Sequence, residues 1–144
     1  EELGAVDDPR VVPLLLALFD RGEPELRKAA LASLARHRKY LSPKTLLAEL
    51  ESPKSDSHAR MRALKLLETV GGPEIVAAVI RVLSDSDLPV RATAAMVLAR
   101  LGEGSVVPRL ETMVSDPVNE RIVGHLERAL EILREGLDAA DERR

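Results

Sequence analysis

His37, His58 and His125 are the only histidines in this 144-residue chain, and with its 24 carboxylates they are the groups that could move protons or hold a metal near neutral pH. Acid–base catalysis needs such a group within hydrogen-bond reach of a partner, in a site that tunes its pKa. The three histidines are scattered, none has a companion one helical turn away, and there is no cysteine. Zinc sites and thiolate nucleophiles are therefore not expected. Asp85-Ser86-Asp87 could open a calcium loop, but the later oxygen ligands and the loop glycine are missing, and Asp87 before Leu88-Pro89 reads as a helix cap. Gly71-Gly72 and Gly102-Glu103-Gly104 follow no strand and lead into no Lys-Ser sequel. They read as helix ends with left-handed φ, not as phosphate cradles. No catalytic residue, metal or cofactor is expected.

Charge is the remaining chemistry. The net charge is −3, against a general nucleic-acid binder. Between Glu25 and Lys65, however, ten Lys and Arg face four Asp and Glu, a local +6 that leaves −9 for the rest of the chain. Inside that window LARHRKY (Leu34 to Tyr40) begins like LARLGEG (Leu98 to Gly104) but runs into a cationic knot and a tyrosine where the other stops at glycine. The macrodipole favours cations near a helix C-terminus, which accounts for Arg36 and its counterpart Arg100. Lys39 and Tyr40 are not required by it.

These residues need elements to hold them, and the chain supplies them by repetition. Pro73 to Gly102 aligns with Pro9 to Arg38 at an offset of 64, matching Arg91 to Arg27, Ala94 to Ala30 and Leu98 to Leu34. His58 to Gly71 aligns with Pro89 to Gly102 at an offset of 31, matching Arg60 to Arg91. A fourth, looser copy starts near Ser105, giving repeats at approximately 5–38, 39–71, 72–102 and 103–137 of a single domain over 1–144. Each copy reads as two helices, opened by Asp8-Pro9, Ser42-Pro43, Gly72-Pro73 and Asp116-Pro117. Apolar spacing is helical at Leu26, Ala30 and Leu34, at Leu64, Leu67 and Val70, and at Val90, Ala94, Val97, Leu98 and Leu101. Pro13 and Pro108 are expected to bend the first helices they occupy. Apolar residues make up 45% of the chain and aromatics 1%, so the core must be Leu, Val, Ile and Ala.

Asp8-Pro9, Val12-Pro13-Leu14, Asp85-Ser86-Asp87, Val90-Arg91, Ala94-Ala95, Leu98 and Gly102 together resemble HEAT repeats, particularly the short bacterial variety first noted in phycobilin lyases. Glu2-Leu3-Gly4 resembles the last turn of a preceding repeat. The resemblance implies an all-α fold, an α-solenoid of about four stacked antiparallel helix pairs. It also implies that Asp85 and Arg91 form a structural ladder between repeats. Arg27 and Arg60 share the position of Arg91 but have only displaced acids, Asp20 and Asp56, and all three arginines are read as partners of turn acids and carbonyls in preference to ligands. A single helix pair cannot cover its own apolar face, so stacking in line is expected on physical grounds as well. The last helix, rich in charge around Ile122, Leu126, Leu130, Leu133 and Leu137, reads as a cap that also permits a weak dimer.

In such solenoids second helices line the concave side, which yields a partner-binding stripe of Lys28, Arg36, Arg38, Lys39, His58, Arg62, Lys65, Thr93, Met96 and Arg100. The first junction is longer than the second, so the knot is an elongated connection with Tyr40 or Leu41 plugging the seam. The expected function is a non-catalytic protein–protein interaction scaffold taking a protein or acidic peptide. Reversing Arg62 and Lys65 is expected to weaken that partner without unfolding the chain. Two alternatives stay open: anion or nucleic-acid backbone binding through residues 25–65, and an enzyme, because the resembled family includes lyases that attach bilins and relatives that excise alkylated bases. Base chemistry favours aromatic stacking, and only Phe19 and Tyr40 are aromatic. No apolar run reaches the ~20 residues of a membrane span, and no leader is visible, so a monomeric or weakly dimeric cytoplasmic protein is expected. The chain begins with Glu1, as a processed chain or a piece of a longer one would.

Overall fold

The computed structural model describes residues 8–143. Among them are eight α-helices: α1 (Val11–Arg21), α2 (Pro24–Arg36), α3 (Pro43–Glu51), α4 (Ser57–Val70), α5 (Pro73–Val82), α6 (Leu88–Arg100), α7 (Val107–Ser115) and α8 (Val123–Glu142). Short 3₁₀ segments lie at Arg38–Tyr40, Gly104–Val106 and Pro117–Ile122, and no strand occurs among the described residues. The chain divides into two compact units between Val70 and Gly71. In the first, α1 packs on α2, α3 on α4, and α2 also meets α4. In the second, α5 packs on α6, α7 on α8, and α6 lies along α8. The preceding-repeat turn read at Glu2-Leu3-Gly4 falls outside the described residues.

Helix starts follow from the local chemistry. Pro24, Pro43 and Pro73 are the first residues of their helices, where the missing N–H costs nothing. The Ser42 hydroxyl accepts from the Thr45 N–H at 3.3 Å, and the Asp56 carboxylate from the Ala59 N–H at 2.8 Å. Three expectations need correcting. Asp8-Pro9 does not open α1: residues 9–10 form a turn in which the Asp8 carboxylate accepts from the Arg10 N–H at 2.9 Å, and the helix begins at Val11. Pro13 and Pro108 therefore fall in first turns, where no N–H is owed to the helix, and they have no interior bond to break. Asp87 holds the N-cap position of α6 without a side-chain bond; the carboxylate that works there is Asp85, accepting from the Asp87 N–H at 2.9 Å.

The core of the first unit is Val11, Leu15 and Phe19 against Leu34, Leu46, Leu50, Leu64 and Leu67. In the second unit α6 is buried at Val90, Ala92, Ala94, Ala95, Val97, Leu98 and Ala99, a broad face that leaves a narrower strip with Pro89, Thr93, Met96 and Arg100 exposed or half-buried. A helix with so wide an apolar face is covered by more than one neighbour. Leu26, Val70 and Leu137, expected to face inward, are exposed. Leu26 and Leu137 instead lie over backbone: a Cβ on Gly22 would come within 3.0 Å of the Leu26 Cβ, and one on Gly104 within 3.2 Å of a Leu137 methyl. Gly71, Gly72 and Gly102 have φ of +67°, +104° and +74°, so the helices before them end in a backbone conformation that other residues adopt at a cost.

Two glycine replacements should move stability in opposite directions. A Cβ at Gly22 would sit 2.5 Å from the Leu18 carbonyl oxygen, so Gly22→Ala forces backbone movement and is expected to cost about 1–3 kcal/mol. Gly136, inside α8, has nothing within 4 Å of a built Cβ, and Gly136→Ala should stabilise by about 0.5–1 kcal/mol. Urea denaturation of the two variants reads both shifts.

Candidate functional site

The arginine that recurs near the start of the second helix in the first three pairs turns back onto its own loop. Arg27 Nε donates to the Gly22 carbonyl at 2.8 Å, Arg60 Nη1 to the Ser55 carbonyl, and Arg91 Nε to the Asp85 carbonyl at 2.5 Å. Each bond fastens the turn between the two helices of a pair to the second helix. The Arg91 contact goes to the Asp85 backbone, not to its carboxylate. Arg91 Nη1 reaches instead to Asn119 Oδ1 at 2.8 Å, and Asn119 Nδ2 donates to the Met113 carbonyl at 3.0 Å. Asn119 is buried, so the tie from the third repeat to the fourth runs through an amide. The sequence offered no signal for it, since Asn119 sits in the 3₁₀ segment of the least regular copy.

Arg62 is placed differently from the solvent-facing cation expected of it. Its side chain is only 15% exposed, with Nη1 2.6 Å from Asp20 Oδ2 on α1 and Nη2 2.8 Å from Glu49 Oε1 on α3. Burial alone would lower its pKa, but the hydrogen bond it donates to Asp20 and the charge of Glu49 outweigh that and hold it above its ordinary value. The guanidinium is a charged internal tie joining three helices. His58 Nε2 lies 3.3 Å from the other Asp20 oxygen, and the His58 ring stands 6.1 Å from that of Phe19. The ammonium of Lys65 lies 5.6 Å from the centre of the Phe19 ring. His58, Arg62 and Lys65 thus gather around the Asp20 end of α1, and none of the three is fully exposed.

The cationic knot separates into an inner and an outer part. His37 is buried at 3% exposure, with Nδ1 2.8 Å from the Ser33 carbonyl, and its ring stacks on Tyr40 at 6.3 Å. The Lys39 ammonium lies 5.0 Å from the centre of the Tyr40 ring. Lys28, Arg36, Arg38 and Lys39 are exposed, with Arg36 Nη2 donating to the Ser33 hydroxyl at 3.1 Å. In the second unit Arg100 is exposed, Met96 is half-buried, and the half-buried Thr93 hydroxyl donates to the Pro89 carbonyl of its own helix at 2.9 Å.

Two depressions flank the connector that follows α2. One, of about 210 Å³, lies between α1 and α3 and is walled by Val12, Leu16, Leu41 and Leu46, with Tyr40, Ser42, Thr45 and the Glu49–Arg62 pair completing it. The other, a shallower groove of about 560 Å³, is lined by Arg38, Lys39, Leu41, Pro43, Thr69 and Val70. Leu16, Thr45 and Glu49 were not singled out by sequence reasoning; the one available signal was the extra length of the first junction. Among the described residues no group of three or more His, Asp or Glu side chains is placed to hold a metal, and no helix is long and apolar enough to cross a membrane.

Helix pairs stacked within each unit, with an arginine recurring on the inner turn of three of the four pairs, define a helical-repeat protein of the α-solenoid class. The family model of HEAT repeats matches residues 43–131, more than half of the chain, and the protein belongs to that family. Comparison with curated proteins and with solved structures finds no match.

Removing either tie should register in stability. Arg62→Met leaves Asp20 and Glu49 without their shared partner, and because both acids keep some water the loss is expected at about 1–2 kcal/mol. Asn119→Leu removes the acceptor of Arg91 Nη1 and one of the two donors to the Met113 carbonyl, which keeps the Asp116 N–H, with an expected loss of about 1–2 kcal/mol. Chemical denaturation monitored by circular dichroism measures both.

Proposed function

We propose that this chain is a non-catalytic protein-interaction module whose basic surface on the first unit takes acidic segments of partner proteins. HEAT repeats are generally protein-interaction scaffolds. The observation that carries the reading is how the cations of the basic window divide. Arg27 and Arg60 bond loop carbonyls and Arg62 is consumed by Asp20 and Glu49. Lys28, Arg36, Arg38, Lys39 and Lys44 are exposed. Positive charge held outward on a helical scaffold speeds encounter with an acidic partner and sets its register.

The exposed set lies at the end of α2, on the connector and at the start of α3, so it clusters around one junction and does not spread along all second helices. Arg62, placed inward, belongs to the scaffold and not to the contact surface. The only half-exposed aromatic of the window, Tyr40, is flanked by His37 and Lys39, which leaves little platform for stacking bases.

The reading is tested by fluorescence anisotropy with a labelled oligo-glutamate peptide. Wild-type protein should bind it with an affinity that falls as salt rises, and Arg38→Glu combined with Lys39→Glu should weaken binding about ten-fold while the thermal midpoint stays put. Unchanged binding in that variant removes these residues from the contact surface, and tighter binding to a DNA duplex than to the peptide overturns the reading.

A further inference from the structure

The two depressions at the first junction share a wall, because Leu41 lines both. One is mainly apolar and the other is edged by cations. We propose that together they form a two-part site for an extended acidic peptide carrying one branched aliphatic residue. Its aliphatic side chain would seat among Val12, Leu16 and Leu46, and its carboxylates would lie against Arg38 and Lys39. The proposal rests on the acidic-partner reading above and adds the chemistry that makes such a partner specific.

Volume favours an aliphatic anchor. Apolar cavities of ~150 Å³ hold a benzene molecule, and this pocket has about 210 Å³, room for a Leu or Ile side chain. The pocket's charged groups do not oppose such a guest. Glu49 and Arg62 are already bonded to each other, so an entering methyl group strands no unpaired charge. Ser42 is also engaged, its hydroxyl capping α3.

Charge and rigidity favour acids alongside. Lys39 is held over the Tyr40 ring at 5.0 Å, which fixes its ammonium close to the boundary between pocket and groove. Successive side chains of an extended peptide alternate faces, with a rise of ~3.3 Å per residue. An acid two places from the anchor therefore points the same way as the anchor and about 7 Å further along the chain. Val70 and Pro43, both exposed, give the groove an apolar floor for the peptide's methylenes.

The experiment compares two labelled peptides, Glu-Glu-Leu-Glu-Glu and Glu-Glu-Ala-Glu-Glu, by anisotropy on the whole chain. The leucine peptide should bind about ten-fold more tightly. Thr45→Trp, which fills the pocket from an exposed position, should erase that preference while the alanine peptide binds as before. Methyl NMR of the unmodified protein gives an independent reading: the Leu16, Leu41 and Leu46 methyls should shift with the leucine peptide and stay still with the alanine one. Equal affinity for the two peptides overturns the two-part site and leaves the acidic-partner reading intact. Failure of both peptides to bind overturns both. A leucine preference that survives Thr45→Trp, with silent pocket methyls, places the anchor elsewhere and overturns the proposal.

Discussion

A pair of helices of eleven and thirteen residues cannot hide its own apolar stripe, and here it must do so almost without aromatic side chains. That constraint shapes each unit. Within the second unit α6 carries most of the burden, with a wide buried face and alanine at four of its seven buried positions. Small residues let neighbouring helices come close, and close approach supplies the dispersion contacts that large rings would otherwise provide. Short turns between the helices are then needed to keep each pair aligned. The recurrent arginine meets that need by bonding a carbonyl of the preceding loop, so a residue that looks like surface charge in the sequence belongs to the backbone's own hydrogen-bond accounting.

Much of this was legible beforehand. Prolines at helix starts, the arginine register and the leucine spacing identify paired helices, because those features act locally and within one repeat. What was not legible depends on contacts between residues far apart. Arg62 reads as one more exposed cation until Asp20, 42 positions earlier, and Glu49 are brought against it. His37 belongs to a basic run, yet its ring is inside, with Nδ1 against a helix carbonyl and its face stacked on a tyrosine. The ladder expected from Asp85 runs through Asn119, a residue type the family pattern does not lead one to seek. Pro13 was misjudged for a simpler reason: a proline bends only a helix that has already begun, and α1 begins two residues before it.

The candidate surface follows from the same division between inward and outward charge. The stripe expected along successive second helices presumed that their polar positions are equivalent. They are not, since a position that faces solvent in one copy faces an acid in the next. What remains outward gathers at the first junction, where the chain spends extra residues on a 3₁₀ turn in place of a terminating glycine. The longer connector leaves a depression on either side of Leu41, and those depressions are the proposed site. Irregularity in the repeat, and not its regular grammar, is what gives this chain a recognisable address.

The Asp20–Arg62–Glu49 bridge has a consequence for how this sequence can drift. Each of the three sits on a different helix, and Arg62, the least exposed, is the one member that both others need. Loss of one acid leaves the guanidinium its second partner, whereas loss of the guanidinium leaves two acids facing each other, so position 62 is the one whose change should drag positions 20 and 49 along with it.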